Sequence, residues 1–572
     1  MAFRAPVSEI GFVLGNIVGF DRVSGTEKFA ETDSDIVTAI LTECGKLADD
    51  AIAPLQRNGD LSGAVLENGV VRSSPGFADG YKAIAEGGWL GISADPEYGG
   101  MGLPQSLYIA LHEMLSGACL SLQLNPLMTM GQIEALEHHA SDALKEIYLP
   151  KLISGEWAGT MNLTEPQAGS DVGALSSKAV PNGDGTYAIS GQKIFISWGD
   201  NDFTENVCHL VLARLPDGAT GTKGISLFLV PKYIPDADGN PGAANSLRVV
   251  SLEHKMGLHG SPTAVMEYDG ATGWRVGEEH AGMKAMFTMM NNARLGVGTQ
   301  GLGTAEAAYQ HALAFASERR QGRTPVGDGS GTILDHADVR RMLMAMKGLT
   351  SAARGIIYDC AVSIDMADAT GDADWAARAA LLTPIAKAFG TDTGIEVSQL
   401  GIQVHGGMGF IEETGAAQYL RDVRVTAIYE GTNGIQAMDL VGRKLMDGGK
   451  AAYTMLAEIG QTCAIASDSL PDLAALLGAG EQALVATTAW MLEREDLNDR
   501  FAGAAPYLRA FALVLGGHYL LKAALAEGGN GPRSALARYF IRQHVIQSEP
   551  LCAQAREGQT SLYALSADEL AN

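Results

Sequence analysis

Arg421-Asp422-Val423-Arg424-Val425-Thr426-Ala427-Ile428-Tyr429-Glu430-Gly431-Thr432-Asn433-Gly434 is the most telling segment of the chain. It sets one carboxylate, Glu430, between Tyr429 and a glycine, in an apolar setting with few neighbouring charges. A Gly-Thr-Asn-Gly turn follows directly. Desolvation disfavours the charged form of a carboxylate and moves its pKa toward the range useful for a general base. Gly431 permits close approach of a ligand to the backbone. Alone, the stretch reads equally well as a helix joint with a solvated glutamate, since most carboxylates lie at the surface.

Two more segments shift that balance. In Leu163-Thr164-Glu165-Pro166-Gln167-Ala168-Gly169-Ser170-Asp171-Val172-Gly173, hydroxyls and glycines surround a proline-fixed bend. Backbone N–H groups that converge there suit the phosphate or ring edge of a nucleotide. In Gln403-Val404-His405-Gly406-Gly407-Met408-Gly409-Phe410, three glycines in four positions admit a flat or anionic ligand. Either loop taken singly is compatible with an ordinary tight turn.

Together, LTEPQAGSDVG, QVHGGMGF and RDVRVTAIYEGTNGIQ resemble the acyl-CoA dehydrogenase family in order and spacing, over about residues 35–445. Within it, the flanking N-terminal extension and long C-terminal tail are similar to an extended subgroup that includes bacterial 3-methylmercaptopropionyl-CoA dehydrogenases. The resemblance implies an FAD-dependent flavoprotein that removes two hydrogens across the α and β carbons of an acyl-CoA. A short thioester is implied, 3-methylmercaptopropionyl-CoA in dimethylsulfoniopropionate demethylation catabolism. A general short- or medium-chain dehydrogenase of fatty-acid β-oxidation, an acyl-CoA oxidase and a non-catalytic acyl-CoA-binding protein stand as alternatives. An electron-transfer flavoprotein is the implied acceptor. The subgroup's extra helices imply a homodimer, since they occupy the place of a second dimer in shorter tetrameric relatives.

Carried over position by position, the resemblance makes Glu430 the base that takes the α proton. Gly431, Ser170, Asn291 and Arg294 are the implied substrate contacts, with Asn291 standing where the family has Asp. For the flavin, the implied contacts are Met161, Leu163, Thr164, Gly169 and Ser170, then Phe195 and Ser197, with Trp198 one residue beyond the aromatic position. Arg319, Gln403, Gly406, Gly407 and Thr432 are implied for its pyrophosphate and adenosine half, partly from a partner subunit. Three departures accompany these matches. The Phe-Gly pair after Arg319 is altered, Asn433-Gly434 replaces a common Ser-Gln, and Gln418 stands where a basic residue is usual.

Composition narrows the remaining classes. The chain has 572 residues, 46% hydrophobic and 19% charged, enough for several domains and a large core. Lys plus Arg total 41 against 66 Asp plus Glu, a net charge of -25. That argues against broad nucleic-acid or anionic-membrane binding. An anionic acyl-CoA would meet long-range repulsion, so its site must be locally basic or built from backbone amides. Six scattered cysteines without CxxC read as reduced cytoplasmic thiols. Twelve histidines show no HExxH spacing, and the adjacent pair His138-His139 faces different sides of a helix, so no metal site is expected. Ile10 to Phe20 resembles a signal-peptide apolar region, but Glu9 and the absence of a cleavage pattern favour a packing segment. No run of 18 apolar residues occurs, so membrane insertion is not expected.

Pattern along the chain predicts mainly α structure with a central β domain. After an extension at 1–32, helical spacing dominates 33–155, with helices expected over 76–87, 104–118 and 129–153. Within 156–281, short alternating or β-branched runs at 186–190, 193–197, 207–214, 225–231 and 264–268, separated by turns, predict a small barrel or sandwich. Helical periodicity returns over 282–445 as a bundle, with stretches at 282–318, 335–368, 372–405 and 412–422, and an additional helical domain occupies 446–572. Gly296-Val297-Gly298-Thr299-Gln300-Gly301 fits GxGxxG, but a Met-rich helical pattern precedes it in place of a strand. Those glycines are expected to serve helix packing. His405-Gly406-Gly407 has the look of a hydrolase oxyanion loop, yet no GxSxG nucleophile elbow exists.

Overall fold

The computed structural model describes residues 3–324 and 326–572, with the side chain of Asn291 outside the description. The chain forms two compact units, one of residues 1–43, 104–117 and 294–572, the other of 44–103 and 118–293.

The second unit holds the sheet. Its strands are β1 (Trp157–Asn162), β2 (Lys178–Pro181), β3 (Tyr187–Ser197), β4 (Asn206–Arg214), β5 (Ile225–Pro231), β6 (Leu247–Leu252) and β7 (Thr263–Val276). β7 pairs with β3, β3 with β2, β2 with β4, β4 with β5, and β5 returns to β7, so the sheet closes on itself. Closure leaves no free edge on these five strands, and β6 and β1 add on beside β7 and β4. The core inside is β-branched and aromatic, with Ile189, Ile196, Val211, Phe228, Val230 and Tyr268 all buried. β1 lies outside the expected strand runs because all six of its residues are buried and it therefore shows no alternation.

The first unit is helical. α1 (Val7–Asn16) packs its buried Ile10, Val13 and Leu14 inward. Arg533 clamps it, bonding Glu9 at 2.9 and 3.0 Å while lying 3.5 Å from the centre of the Phe12 ring. The N-terminal extension is thus a packing segment held by the C-terminal helices. α2 (Gln105–His139), of which the part up to Gly117 belongs to this unit, is a single 35-residue element, where two helices with a gap were expected. Its middle, around Leu120 to Leu127, is buried all round and gives no amphipathic period to read. Cys119 breaks the helical dihedrals there, and Pro126 lies inside. At its start, the orphan N–H groups of Gln105 and Ser106 donate to Asp365, at 2.5 and 3.1 Å.

The long helices α3 (Gly282–Glu318), α4 (Ala337–Thr370) and α5 (Ala373–His405) build the bundle. A buried ion cluster ties it together: Arg354 bonds Glu113 at 2.6 Å and Glu306 at 2.8 Å, and Tyr358 donates to Glu113 at 2.9 Å. The GxGxxG glycines lie within α3, as helix packing requires. A Cβ at Gly298 would stand 2.7 Å from the carbonyl oxygen of Ala386, and one at Gly301 would collide with that of Gly390. Only glycine allows α3 and α5 to approach this closely. The helices Gln105–His139 and Leu497–Ala526 are long and apolar enough to cross a membrane by composition, and their apolar windows are 100% and 83% buried in the chain.

Gly301→Ala will force these two helices apart. Overpacking of this kind costs about 1–3 kcal/mol, read as a lower melting temperature of the purified protein. An unchanged melting temperature would show that the seam has slack.

Candidate active site

Glu430 ends a short helical run, Arg424–Ala427 followed by Ile428 and Tyr429, and stands before the seven-residue helix α6 (Asn433–Asp439), capped by Thr432. Its φ is +54°, and that of Gly431 is +81°. A left-handed conformation at a non-glycine residue costs on the order of 1–3 kcal/mol and persists only where its surroundings enforce it. Those surroundings are visible. The buried Gln436 donates through Nε2 to the Glu430 carbonyl at 3.1 Å and to the Gly431 carbonyl at 3.2 Å. Lys387 donates to the same Gly431 carbonyl at 2.9 Å. Tyr429 is fastened by its hydroxyl to Gln300 on α3. Because a trans peptide points its C=O and N–H in opposite directions, the fixed Glu430 carbonyl turns the Gly431 N–H away from Gln436. A Cβ at Gly431 would meet Gln436 Nε2 at 2.8 Å, so glycine is required there.

The setting of Glu430 is less free of charge than its sequence neighbours suggest. Arg294 from α3 and Lys387 from α5 both act on it. Burial is nevertheless the dominant influence and pushes the carboxyl up to about 7, while the two cations pull it back. Arg294 is itself 6% exposed and lies 3.5 Å from Asp439, which Arg443 also bonds at 2.5 Å. A half-buried carboxylate with a pKa near neutrality is suited to take up a proton.

In the sheet unit, the sequence-matched flavin contacts gather on β1, β3 and the loop between β1 and β2. Phe195, on β3, is 60% exposed at φ +61°, an aromatic face held open in a strand whose neighbour Ile196 is buried. Trp198 is fully buried between Phe77 and Phe203 and serves the core. Met161 is buried, Leu163, Thr164 and Ser197 are half-buried, and Gly169 and Ser170 are exposed, with open space where a Cβ would stand on Gly169. An open aromatic face beside hydroxyls and a glycine loop fits a flat, phosphate-bearing isoalloxazine cofactor.

The loop is braced by a pair that the motif reading left out. Glu165 is buried and bonds Lys193 at 2.8 Å, and it accepts from the backbone and hydroxyl of both Ser176 and Ser177. Burial alone would raise this carboxyl, but Lys193 and the serine donors hold it down to about 2. Lys193 also donates to the Leu163 carbonyl at 3.0 Å, fastening the loop to β3.

At the far end of α5, His405 stacks on Phe315 at 4.4 Å and packs against His311 at 4.6 Å. This brings together the end of α3, where Arg319 is exposed, and the exposed Gln403, Gly406 and Gly407. That group lies along α5 about 27 Å from Lys387. Thr432 is half-buried beside Glu430. Asn291 has its side chain outside the described residues, and its neighbour Asn292 bonds Glu134. Gln418 is buried and bonds Asp422 at 3.2 Å, an inward role for which a basic residue is not needed. Lys387, Gln436, Gln300, Glu165 and Lys193 are the residues that motif reading missed. For Lys387 a signal existed: one lysine in the otherwise uncharged run Ala379 to Thr391.

Four family models match in sequence along the chain. They are "Acyl-CoA dehydrogenase, N-terminal domain" at 38–156, "middle domain" at 160–271, "C-terminal domain" at 280–446, and "Acetyl-CoA dehydrogenase C-terminal like" at 455–566. The chain belongs to the acyl-CoA dehydrogenase family. It is therefore an FAD-dependent oxidoreductase. It is 43% identical to the 3-methylmercaptopropionyl-CoA dehydrogenase of Ruegeria pomeroyi, covering 96% of this chain and 97% of that one. It is 36% identical to a butyryl-CoA dehydrogenase of Syntrophomonas wolfei, covering 85% and 83%. The crystal structure of Caenorhabditis elegans ACDH-11 in complex with C11-CoA shares the fold at a TM-score of 0.81, with 20% identity over 99% of this chain and 96% of that one.

A base at Glu430 would act only when ionised, so kcat/KM is expected to rise with pH through an acid limb near 7. A limb near the ordinary carboxylate value would mean that Glu430 is solvated in the working enzyme.

Proposed function

We propose that this acyl-CoA dehydrogenase acts on a short acyl-CoA thioester, 3-methylmercaptopropionyl-CoA, and that Glu430 removes the α proton. The observation that carries the assignment of the base is the left-handed, half-buried Glu430 with its carboxyl raised to about 7. Such a group is ionised often enough to accept a proton and basic enough to hold it. Gln436 and Lys387 hold the backbone that follows the carboxylate, at the Glu430 and Gly431 carbonyls, so it needs little rearrangement to reach the carbon. Arg294, held by Asp439, contributes positive charge near the developing enolate and the anionic substrate. Bound FAD supplies the acceptor for the β hydride. Thr164, Ser170, Ser197 and the face of Phe195 are the groups that would hold its ring, and Arg319, Gln403, Gly406 and Gly407 are those that would serve its pyrophosphate and adenosine half, partly from a partner subunit.

The full-length 43% relative supports the methylthio substrate. The butyryl-CoA dehydrogenase relative supports the alternative of a butyryl chain. The two acyl groups differ so little in shape that pocket discrimination amounts to about 1–3 kcal/mol. A homodimer is part of the proposal. The exposed glycine loop at 406–407 lies far along α5 from the Glu430 turn, and Met408, Phe410 and Ile411 beside it are exposed apolar side chains suited to a partner subunit. An electron-transfer flavoprotein as oxidant and a cytoplasmic location complete the reading.

Glu430→Gln will keep its flavin and bind acyl-CoA, yet lose reduction of the flavin by substrate. Substantial residual bleaching would place the base elsewhere. A panel of thioesters scored by kcat/KM is expected to rank 3-methylmercaptopropionyl-CoA above butyryl-CoA, and the reverse order would overturn the substrate assignment. Rapid peroxide formation from the reduced enzyme in air would instead favour an oxidase.

A further inference from the structure

The side chain of Lys387 is fully buried, 0% exposed, in the middle of α5. Burying an ammonium is expensive unless it is paired and hydrogen-bonded. The other fully buried lysine, Lys193, meets that demand with a carboxylate at 2.8 Å. Lys387 does not. Its two hydrogen bonds go to neutral oxygens, the Gly431 carbonyl at 2.9 Å and Asn433 Oδ1 at 3.0 Å. No carboxylate oxygen contacts it among the described residues, and its charge acts through space on Glu430 and Asp392. A lysine needed only for packing would be replaced without loss by an apolar side chain. This one directs its hydrogen bonds at the turn that carries the base.

Asn433 completes the arrangement. Its amide oxygen accepts from Lys387 and, at 3.3 Å, from the Thr391 hydroxyl. Its amide nitrogen donates to Asp392 at 2.7 Å, to Thr391 at 3.0 Å and to the Ala388 carbonyl at 3.3 Å. The residue two places after Gly431 is thus fastened to one turn of α5, and the lysine reaches from that same helix to Gly431 itself. This explains the departure at Asn433, whose side chain is spent inward on α5.

We infer that Lys387, with Asn433, is a positioning residue that locks the Glu430–Gly431 turn in its left-handed form and sets the electrostatic field in which Glu430 accepts a proton. The inference rests on Glu430 being the base. Two effects follow from the one ammonium group. The two donated bonds hold the geometry, so their loss lets the strained turn relax. The charge favours ionised Glu430, so its loss makes the carboxyl more basic. The charged and titratable groups around Glu430 are Arg294 from α3, backed by Asp439 and Arg443, Lys387 and Asp392 from α5, and its neighbour Tyr429. Lys387 is the one among them that both bonds the turn and carries charge toward the carboxylate.

The test compares the flavin-loaded wild type with Lys387→Met, Lys387→Arg, Asn433→Ala and Glu430→Gln over a pH series. Lys387→Met is expected to lose about 100-fold in kcat through misplacement of the base, with KM changed much less. The acid limb of its kcat/KM profile moves up by about one pH unit or more, because an opposite charge near the carboxylate has gone. Lys387→Arg restores the limb to its wild-type position, and Asn433→Ala lowers kcat without moving it. A merely structural lysine would shift neither the limb nor the balance between kcat and KM. Wild-type kcat and acid limb in Lys387→Met, alongside an inactive Glu430→Gln, overturn the inference and leave the base assignment standing. An active Glu430→Gln overturns the base assignment instead. If Lys387→Met does not fold, Lys387→Gln and Asn433→Ala carry the comparison, and wild-type kcat in Asn433→Ala overturns the inference.

Discussion

The close approach of two helices is the constraint on which the site depends. α3 and α5 meet through Gly298, Gly301, Gly390 and Gly394, where an added Cβ would strike the backbone of the opposite helix. Contact this intimate brings Arg294, four residues before Gly298, and Lys387, three before Gly390, up to the same turn from two sides. Neither cation is free to move off, because one is tied to Asp439 and the other to Gly431 and Asn433. Glycine's role here is volumetric. The resemblance of the α3 run to a dinucleotide fingerprint is a by-product of small residues recurring along a helix face.

At Glu430, opposing effects set the chemistry by their balance. Burial raises the carboxyl, and Arg294 and Lys387 lower it, leaving it near neutrality. With burial alone the group would remain protonated at working pH. Closer pairing would make it too weak a base, as Glu165 illustrates with its carboxyl held at about 2 by Lys193 and two serines. The same fold therefore contains one glutamate whose carboxyl is held low by direct contact and one whose carboxyl is raised by burial against the pull of two cations. The left-handed backbone at 430 belongs to this design. Its strain is offset by Gln436 and Lys387 binding the adjacent carbonyls.

Much of the architecture was legible in sequence because amphipathic patterns carry it. α3 at 282–318, β5 at 225–231 and the start of α5 near 372 coincide with their patterns to within a residue. What failed to show were elements buried on every side. β1 and the middle of α2 lack any alternation between core and solvent, so no period marks them. The three site motifs stood out through glycines and a lone carboxylate. The groups that hold them in place did not. Glu165 and Lys193 are 28 residues apart and Lys387 and Gly431 are 44 apart. Nothing local in a chain records that two such positions touch. Asn433 looked like a lost contact because its neighbours in sequence do not reveal that its amide faces α5.

Transfer of one proton to Glu430 is the central step of the proposed reaction, and isotope exchange follows that proton directly. The flavin-loaded enzyme is held anaerobically with 3-methylmercaptopropionyl-CoA in D2O, and deuterium entering the α methylene is followed by proton NMR. Wild type is expected to wash deuterium into that position, and Glu430→Gln to show only the uncatalysed background. Exchange by Glu430→Gln at the wild-type rate would contradict the account, since another group would then be handling the proton.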